Sequence, residues 1–226
     1  MVRLALVGDY RPDAVSHQAI PKAVQLAAHA LHLDVNPQWL PTETITDSRV
    51  LQEYDAIWLI PGSPYINDEG AYLTLRYARE NNVPFLGSCA GFQYAIVEYA
   101  RNVMGWSDAG HAETDSGGRL VIAPLSCSLV EKTGDIVIEP GSLLAQAYGK
   151  TEISEGYHCN FGVNPDFVAE LKTHPLRLTA WDREGDVRAM ELPGHKFYVA
   201  TLFQSERAAL RDELSPLVIE LLRAAR

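Results

Sequence analysis

The sequence is poor in cysteine, in positive charge and in long apolar runs. Three of the 226 residues are cysteine (Cys89, Cys127 and Cys159), so we expect no disulfide framework and predict a reducing, cytoplasmic setting. The formal net charge of −10 argues against nucleic acid as a partner, because phosphate binding requires clustered lysine and arginine. No apolar run reaches the roughly 20 residues of a membrane-spanning helix, so no membrane partner is expected.

Sequence signatures of metal and nucleotide sites are also missing. The seven histidines are not spaced as metal ligands. No Gly-x-x-x-x-Gly-Lys-Ser/Thr phosphate loop occurs in the chain. We therefore predict no metal and no cofactor.

The order of apolar segments predicts one α/β domain over residues 1–226. Apolar runs typical of buried strands alternate with segments of helical periodicity, which indicates a mostly parallel sheet flanked by helices. The predicted strands of this half are Val2–Val7, Val35–Leu40, Ala56–Ile60 and Pro84–Leu86, and the predicted helices are 13–31, 48–54 and 69–82. After Gly105 the pattern predicts a smaller antiparallel portion, with strands at Leu120–Ala123, Asp135–Ile138, Arg177–Trp181, Val187–Leu192 and Phe197–Phe203. A final helix is predicted over Ser215–Arg226.

The segment from Pro84 to Gly105 carries the strongest functional signal. A short strand enters the turn Gly87-Ser88-Cys89-Ala90-Gly91, and apolar residues then recur at helical spacing. The two glycines let the strand and the helix approach closely, as in a nucleophile elbow. Cys89 is expected at a helix N-terminus, where free N–H groups and the helix dipole favour a thiolate. A buried structural cysteine is the alternative, and the glycine-flanked turn favours the nucleophile.

Further motifs are similar to those of the class I glutamine amidotransferase family. Leu59-Ile60-Pro61-Gly62 resembles that family's Val-Pro-Gly-Gly turn, and residues 76–87 lead into the elbow almost as they do in the family. Val163-Asn164-Pro165 and Glu191-Leu192-Pro193 fall in register with family motifs. The resemblance runs nearly end to end and is strongest to the glutaminase domain of CTP synthases. It implies a flavodoxin-like, mostly parallel α/β fold.

The resemblance also implies a cysteine-dependent reaction on a small amide. In this family a thiolate attacks the carboxamide of glutamine with the help of a histidine that a glutamate orients; ammonia leaves, and water cleaves the thioester. By their places in the matching motifs, Cys89 is the implied nucleophile, Glu206 the acidic triad member and Ala90 an oxyanion donor. The remaining predicted site residues are Gly62 and Ser63 for the oxyanion, and Gln93, His111, Glu113 and Gln204 for the substrate.

Three positions depart from the family pattern. Gln204 stands where the resemblance places the histidine, and a carboxamide cannot accept the proton. Pro64 follows the oxyanion turn and has no N–H. The family's Arg-His-Arg-Tyr segment, which holds the substrate carboxylate, is replaced by residues 157–161, Tyr-His-Cys-Asn-Phe. His158 is therefore the first candidate for a replacement base and His111 the second, and a noncatalytic loop histidine is the alternative for each.

Three functional hypotheses follow from the sequence. The first is a cysteine-dependent amide or acyl hydrolase or transferase with a nonstandard site, whose substrate need not be glutamine. The second is a noncatalytic homologue that binds a metabolite or a partner protein through the inherited pocket. The third is a glutaminase subunit that a separate synthase chain completes. Cys159 is predicted to be a buried structural thiol, with a redox pair to Cys89 as the alternative.

Overall fold

The computed structural model describes all residues 1–226. The strands are β1 Val2–Val7, β2 Val35–Leu40, β3 Ala56–Leu59, β4 Phe85–Ser88, β5 Ala109–His111, β6 Arg119–Pro124, β7 Lys132–Ile138, β8 Glu152–Tyr157, β9 Phe161–Val163, β10 Arg177–Trp181, β11 Val187–Glu191 and β12 Tyr198–Thr201. The α-helices are α1 Val15–Leu31, α2 Asp68–Glu80, α3 Ala90–Asn102, α4 Leu143–Tyr148, α5 Pro165–Leu171 and α6 Pro216–Ala224. Short 3₁₀ helices cover Thr42–Thr44, Ser48–Glu53 and Ser205–Arg211. No helix is long and apolar enough to span a membrane.

Nine of the strands form one mixed sheet in the order β2-β1-β3-β4-β12-β11-β10-β7-β8. The five strands from β2 to β12 pair in parallel, and the remaining neighbours pair antiparallel. Every residue of β3, β4 and β12 is buried, as expected for parallel strands that are covered on both faces. The predicted α/β fold with a smaller antiparallel portion is confirmed.

The helices form two packed groups. Helix α6 contacts both α1 and α4, whereas α2 packs on α3. Both α3 and α6 contact β3 and β4, which joins the two groups to the centre of the sheet. This arrangement follows from the crossover connections that parallel strands require.

The structure contains elements that the sequence pattern did not predict. Strands β5 and β9 have three residues each and are the edge strands of a second, three-stranded sheet with β6 at its centre. Strand β8 and helices α4 and α5 were also missed, and the predicted helix at 48–54 is a 3₁₀ helix. Strands β5 and β9 are too short to establish a hydrophobic period, and β8, with the sequence EISEGY, is mostly polar. The conformation of these segments therefore depends on tertiary contacts.

Strands β3, β4 and β12 place three loops at one edge of the sheet. Gly87 of β4 lies between Leu59 of β3 and Ala200 of β12. Because parallel strands end at the same edge, the loops that contain Gly62, Cys89 and Gln204 meet there.

Candidate active site

Cys89 has the backbone geometry of a nucleophile elbow. Its φ of 53° and ψ of −104° lie outside the regions that a non-glycine residue readily adopts, and α3 begins at the next residue. The N–H of Cys89 donates to the carbonyl of Thr201 over 2.9 Å, which holds the turn against β12. A Cβ atom at Gly91 would collide with the carbonyl oxygen of Leu59. A Cβ atom at Gly87 would lie 2.9 Å from the main chain of Gly91, so the predicted close approach of strand and helix at this turn is confirmed.

A cavity of about 340 Å³ lies over the elbow and collects most of the predicted site residues. Predicted residues that line it are Gly62, Ser63, Cys89, Gln93, Glu113, His158 and Gln204. Sequence reasoning missed further polar lining residues, namely Arg11, Asp13, Ser16, Glu131, Asn160 and Arg207. Ala90, His111 and Glu206 do not line it. No group of three or more His, Cys, Asp or Glu side chains is placed to hold a metal ion.

The sulfur of Cys89 contacts the loop between β8 and β9. The Sγ atoms of Cys89 and Cys159 lie 2.7 Å apart, and the Cys89 thiol donates to the main-chain oxygen of His158 over 3.4 Å. Cys89 is 6% exposed and lines the cavity, so this residue is recessed at the cavity wall.

His158 is paired with a carboxylate at the cavity wall. Its Nδ1 lies 2.7 Å from Oε1 of Glu131, and Arg207 donates to both oxygens of the same carboxylate over 2.6 and 3.0 Å. The hydrogen bonds from Arg207 and then from His158 lower the pKa of Glu131 to about 2. Since an ionised carboxylate only accepts hydrogen bonds, Nδ1 of His158 must carry a proton, and Nε2 is the ring atom left to exchange a proton with a ligand.

Gln204 and Glu206 are not hydrogen-bonded to each other. Oε1 of Gln204 accepts from Nε of Arg207 over 2.7 Å, whereas Oε1 of Glu206 accepts from the hydroxyl of Ser88 over 3.3 Å. Oε2 of Glu206 is buried without a partner. Burial raises the pKa of Glu206 to about 8, so this carboxyl group is largely protonated at neutral pH.

His111 lies behind the cavity wall with both ring nitrogens engaged. Its Nε2 is 3.2 Å from Oε1 of Gln93, and its Nδ1 accepts from the N–H of Glu113 over 3.1 Å. The Gln93 amide in turn donates to the carbonyl of Phe161 over 2.8 Å. Burial lowers the pKa of His111 to about 4. His111 is therefore a neutral residue that positions the Gln93 side chain, and neither of its ring nitrogens is free to contact a ligand.

The turn after β3 presents free backbone donors to the cavity. Gly62 has a φ of 130°, and neither its N–H nor that of Ser63 makes a hydrogen bond within the protein. His17 fixes this turn, because Nε2 lies 2.7 Å from the carbonyl of Pro61 while Nδ1 accepts from the N–H of Arg11 over 2.8 Å. Burial lowers the pKa of His17, which keeps the ring neutral.

His17 is not among the predicted site residues, and its contacts show that it joins two loops of the cavity. The order of the predicted parallel strands could have indicated that these two loops lie close together. β1 and β3 are adjacent parallel strands, so the loops after them had to meet at one edge.

Comparison with known proteins assigns the family. A model described as "Glutamine amidotransferase class-I" matches residues 23–201. The CTP synthase of Methanopyrus kandleri is 35% identical over 242 residues, covering 99% of this chain and 45% of that protein. The CTP synthase of Staphylococcus carnosus is 29% identical over 238 residues, covering 99% of this chain and 44% of that protein. The chain thus spans less than half the length of the curated relatives it matches.

Solved structures agree on the fold. The glutaminase domain of Trypanosoma brucei CTP synthase with bound acivicin superposes with a TM-score of 0.90 at 24% identity, covering 100% of this chain and 94% of that one. A glutamine amidotransferase of Thermotoga maritima superposes with a TM-score of 0.58 at 11% identity, covering 99% of this chain and 96% of that one. The chain therefore belongs to the class I glutamine amidotransferase family and resembles the glutaminase domain of CTP synthase.

Proposed function

We propose that this chain is a cysteine-dependent amide or acyl hydrolase or transferase whose base is His158 rather than a residue at position 204. One juxtaposition carries the proposal. The thiol of Cys89, on a strained elbow, contacts the main chain of His158, and the ring of that histidine is held by Glu131 in the same cavity. Nucleophile, base and orienting carboxylate are the three parts that covalent acyl chemistry requires.

The proton moves between Cys89 and His158. In the structure the thiol contacts the main chain of His158 and not its ring. In the proposed reaction Nε2 takes the thiol proton, while Glu131 holds Nδ1–H and its carboxylate stabilises the resulting imidazolium. The thiolate attacks the carbonyl carbon of the substrate, and His158 returns the proton to the leaving amine. Water then cleaves the thioester in the second half-reaction, with His158 again acting as the base.

Backbone donors stabilise the oxyanion of the tetrahedral intermediate. Gly62 and Ser63 line the cavity and provide unpaired N–H groups from the facing turn. Ala90 does not line the cavity, and its N–H is assigned as a donor from its place directly after Cys89 at the first position of α3. Because Gly62 and Ser63 both precede Pro64 in the chain, the missing N–H of that proline does not remove these donors.

Unpaired charges in the cavity favour a small zwitterionic substrate, such as an α-amino acid that carries an amide or ester on its side chain. The guanidinium of Arg11 makes no hydrogen bond or ion pair within the protein and lines the cavity. The carboxylates of Glu113 and Asp13 line the same cavity, also without partners. We assign the substrate carboxylate to Arg11 and its ammonium group to Glu113, since Arg207 is already occupied by Glu131 and Gln204.

Variants of His158 test the proposal. Ammonia release is measured for L-glutamine and for other ω-amides of amino acids, with the corresponding esters followed by release of the alcohol. We expect Cys89→Ala to abolish turnover and His158→Gln to lower kcat/KM by roughly 10²- to 10⁴-fold. His29→Gln, at an exposed position of α1, is the matched control and should leave kcat/KM unchanged. Turnover that survives His158→Gln undiminished would remove His158 from the mechanism.

A noncatalytic binding role is the second candidate, and the state of Glu206 favours it. The residue that resembles the acidic triad member contacts no imidazole and is largely protonated. This alternative predicts a thermal shift with a substrate amide that persists in Cys89→Ala, together with no turnover by the wild-type chain. The same assays repeated with a CTP synthase chain lacking its own glutaminase domain test whether a separate partner is required.

A further inference from the structure

We infer that Cys89 and Cys159 form a reversible disulfide, which makes the candidate nucleophile a site of redox modification. The inference goes beyond the proposed acyl chemistry and does not depend on it. It rests on the placement of two sulfurs in one cavity and on the rigidity of the two segments that carry them.

The two sulfur atoms are already close to bonding distance. The Sγ atoms lie 2.7 Å apart, against about 2.05 Å for an S–S bond, so closure needs a movement of less than about 1 Å. Both residues line the cavity over the elbow, so a small oxidant or reductant has access to the pair. Cys127 is exposed and lies outside this cavity, which makes it a built-in comparison.

Backbone hydrogen bonds hold Cys159 against the elbow. The carbonyl of Cys159 accepts from the N–H of Leu129 over 2.9 Å, and the next residue, Asn160, accepts from Leu125 over 2.8 Å. The Cys159 thiol also donates to the carbonyl of Leu202 over 3.3 Å. On the other side, Cys89 is fixed by the turn into α3. Neither sulfur needs a loop rearrangement to reach the other.

The two cysteines have different parts in the oxidation. Burial raises the pKa of Cys159 well above the ordinary thiol value, so Cys159 remains protonated while Cys89 reacts first. With a hydroperoxide as the oxidant, the Cys89 sulfur attacks the outer oxygen, the O–O bond breaks, and an alcohol or water leaves. The Cys159 sulfur then attacks the resulting sulfenic acid. The S–S bond forms, the S–O bond breaks, and water leaves with the proton of Cys159.

Reduction reverses the modification. A small dithiol attacks one sulfur of the pair, forms a mixed disulfide and then closes its own disulfide, which returns two electrons and two protons to the cysteines. While the disulfide persists, Cys89 has no free sulfur with which to attack a carbonyl group. Any turnover that depends on Cys89 is therefore expected to be lost on oxidation and restored by the dithiol.

Peptide mapping of the oxidised wild-type chain tests the inference directly. The reduced protein is treated with hydrogen peroxide, blocked with iodoacetamide, digested and analysed by mass spectrometry with and without dithiothreitol. We expect the peptides of Cys89 and Cys159 as a linked pair that dithiothreitol separates, with Cys127 carbamidomethylated. Sulfinic or sulfonic acid on Cys89 beside a free Cys159 thiol would overturn the inference.

Two variants sharpen the test without requiring a substrate. Cys127→Ser should form the same linked pair, whereas Cys159→Ser should accumulate a sulfenic acid on Cys89 that dimedone captures. Equal dimedone labelling of Cys89 in the wild type and in Cys159→Ser would contradict a resolving part for Cys159. If the chain forms the disulfide but turns over no amide, the disulfide between Cys89 and Cys159 stands and the proposed function fails. The two failures are therefore distinguishable.

Discussion

At the scale of single residues, Glu206 shows how a fully buried carboxyl group links the site to the pH dependence of stability. Its pKa is raised to about 8 by burial, and Oε2 has no hydrogen-bond partner. A carboxyl group with a raised pKa binds more protons in the folded state than in the unfolded state. The free energy of unfolding therefore falls progressively as pH rises from about 4.5, the ordinary pKa of a glutamate, to about 8, the pKa of Glu206 in the folded state.

Glu206→Gln is expected to remove this dependence. The free energy of unfolding of the variant, relative to that of the wild type, should rise by roughly 3–5 kcal/mol between pH 4.5 and pH 8. Urea denaturation of both proteins at several pH values measures the difference, and any constant effect of the new amide cancels in the comparison. Parallel stability curves for the two proteins would show that Glu206 does not titrate in this range.

Arg11 is the residue on which the proposed substrate class depends. Because its guanidinium has no protein partner, Arg11→Ala should leave the fold intact and raise KM for an amino-acid amide by about ten- to a hundredfold, the loss of one charged hydrogen bond. Steady-state kinetics of the variant measure the effect. Arg183→Ala is the control, since Arg183 pairs with Asp135 outside the cavity. An unchanged KM in Arg11→Ala would place the substrate carboxylate elsewhere.

At the scale of elements, the elbow depends on close contact between α3 and β3. A Cβ atom at position 91 would collide with the carbonyl of Leu59, and that carbonyl belongs to a strand that cannot move independently of the sheet. Gly91→Ala is therefore expected to lower the free energy of unfolding by at least about 1–3 kcal/mol. Gly117→Ala, in an open loop where nothing lies within 4 Å, is the control and should stay within about 0.5 kcal/mol of the wild type. Equal stabilities for the two variants, measured by urea denaturation, would contradict the packing described here.

Sequence predicted the first half of the chain, which carries β1 to β4 and the elbow, better than the second half, where β5, α4, β8, β9 and α5 were missed. The bounds of β1 and β2 agree with prediction, and the turn around Cys89 is marked by its glycines. The loop after β8 and the contact between Glu131 and Arg207 have no such mark, because the two residues are 76 positions apart and meet only through the antiparallel half of the sheet. Sequence therefore indicated His158 as a candidate base but gave no sign of the carboxylate that orients it.

At the scale of the whole molecule, the buried His111 is expected to set the acid limit of stability. Its pKa is lowered to about 4 from the ordinary 6.5, so the unfolded state binds a proton as pH falls below 6.5 while the folded state does not. This stability contribution is complete above pH 6.5 and is lost as pH falls towards 4. Between pH 6.5 and pH 4, His111→Gln should therefore lose roughly 3 kcal/mol less of its free energy of unfolding than the wild type does. Denaturation midpoints at pH 4, 5, 6 and 7 provide the measurement, and an unchanged acid slope would contradict it.

The proposed chemistry predicts whether turnover requires a second protein. The chain covers 45% of the Methanopyrus kandleri CTP synthase that it matches, and its formal charge is −10. The proposed chemistry at Cys89 uses residues of this chain alone, so turnover is expected without a second protein. A requirement for a separate synthase chain would favour the third hypothesis without changing the part proposed for Cys89.

The central claim is that the recessed thiol of Cys89 is an activated nucleophile, and its alkylation rate tests this most directly. The freshly reduced chain is treated with iodoacetamide at neutral pH, and labelling of each cysteine is followed by mass spectrometry. The account predicts that Cys89, though only 6% exposed, reacts faster than the exposed Cys127, and that His158→Gln removes the difference. Labelling of Cys89 that is slower than that of Cys127, or that begins only on unfolding, would contradict it.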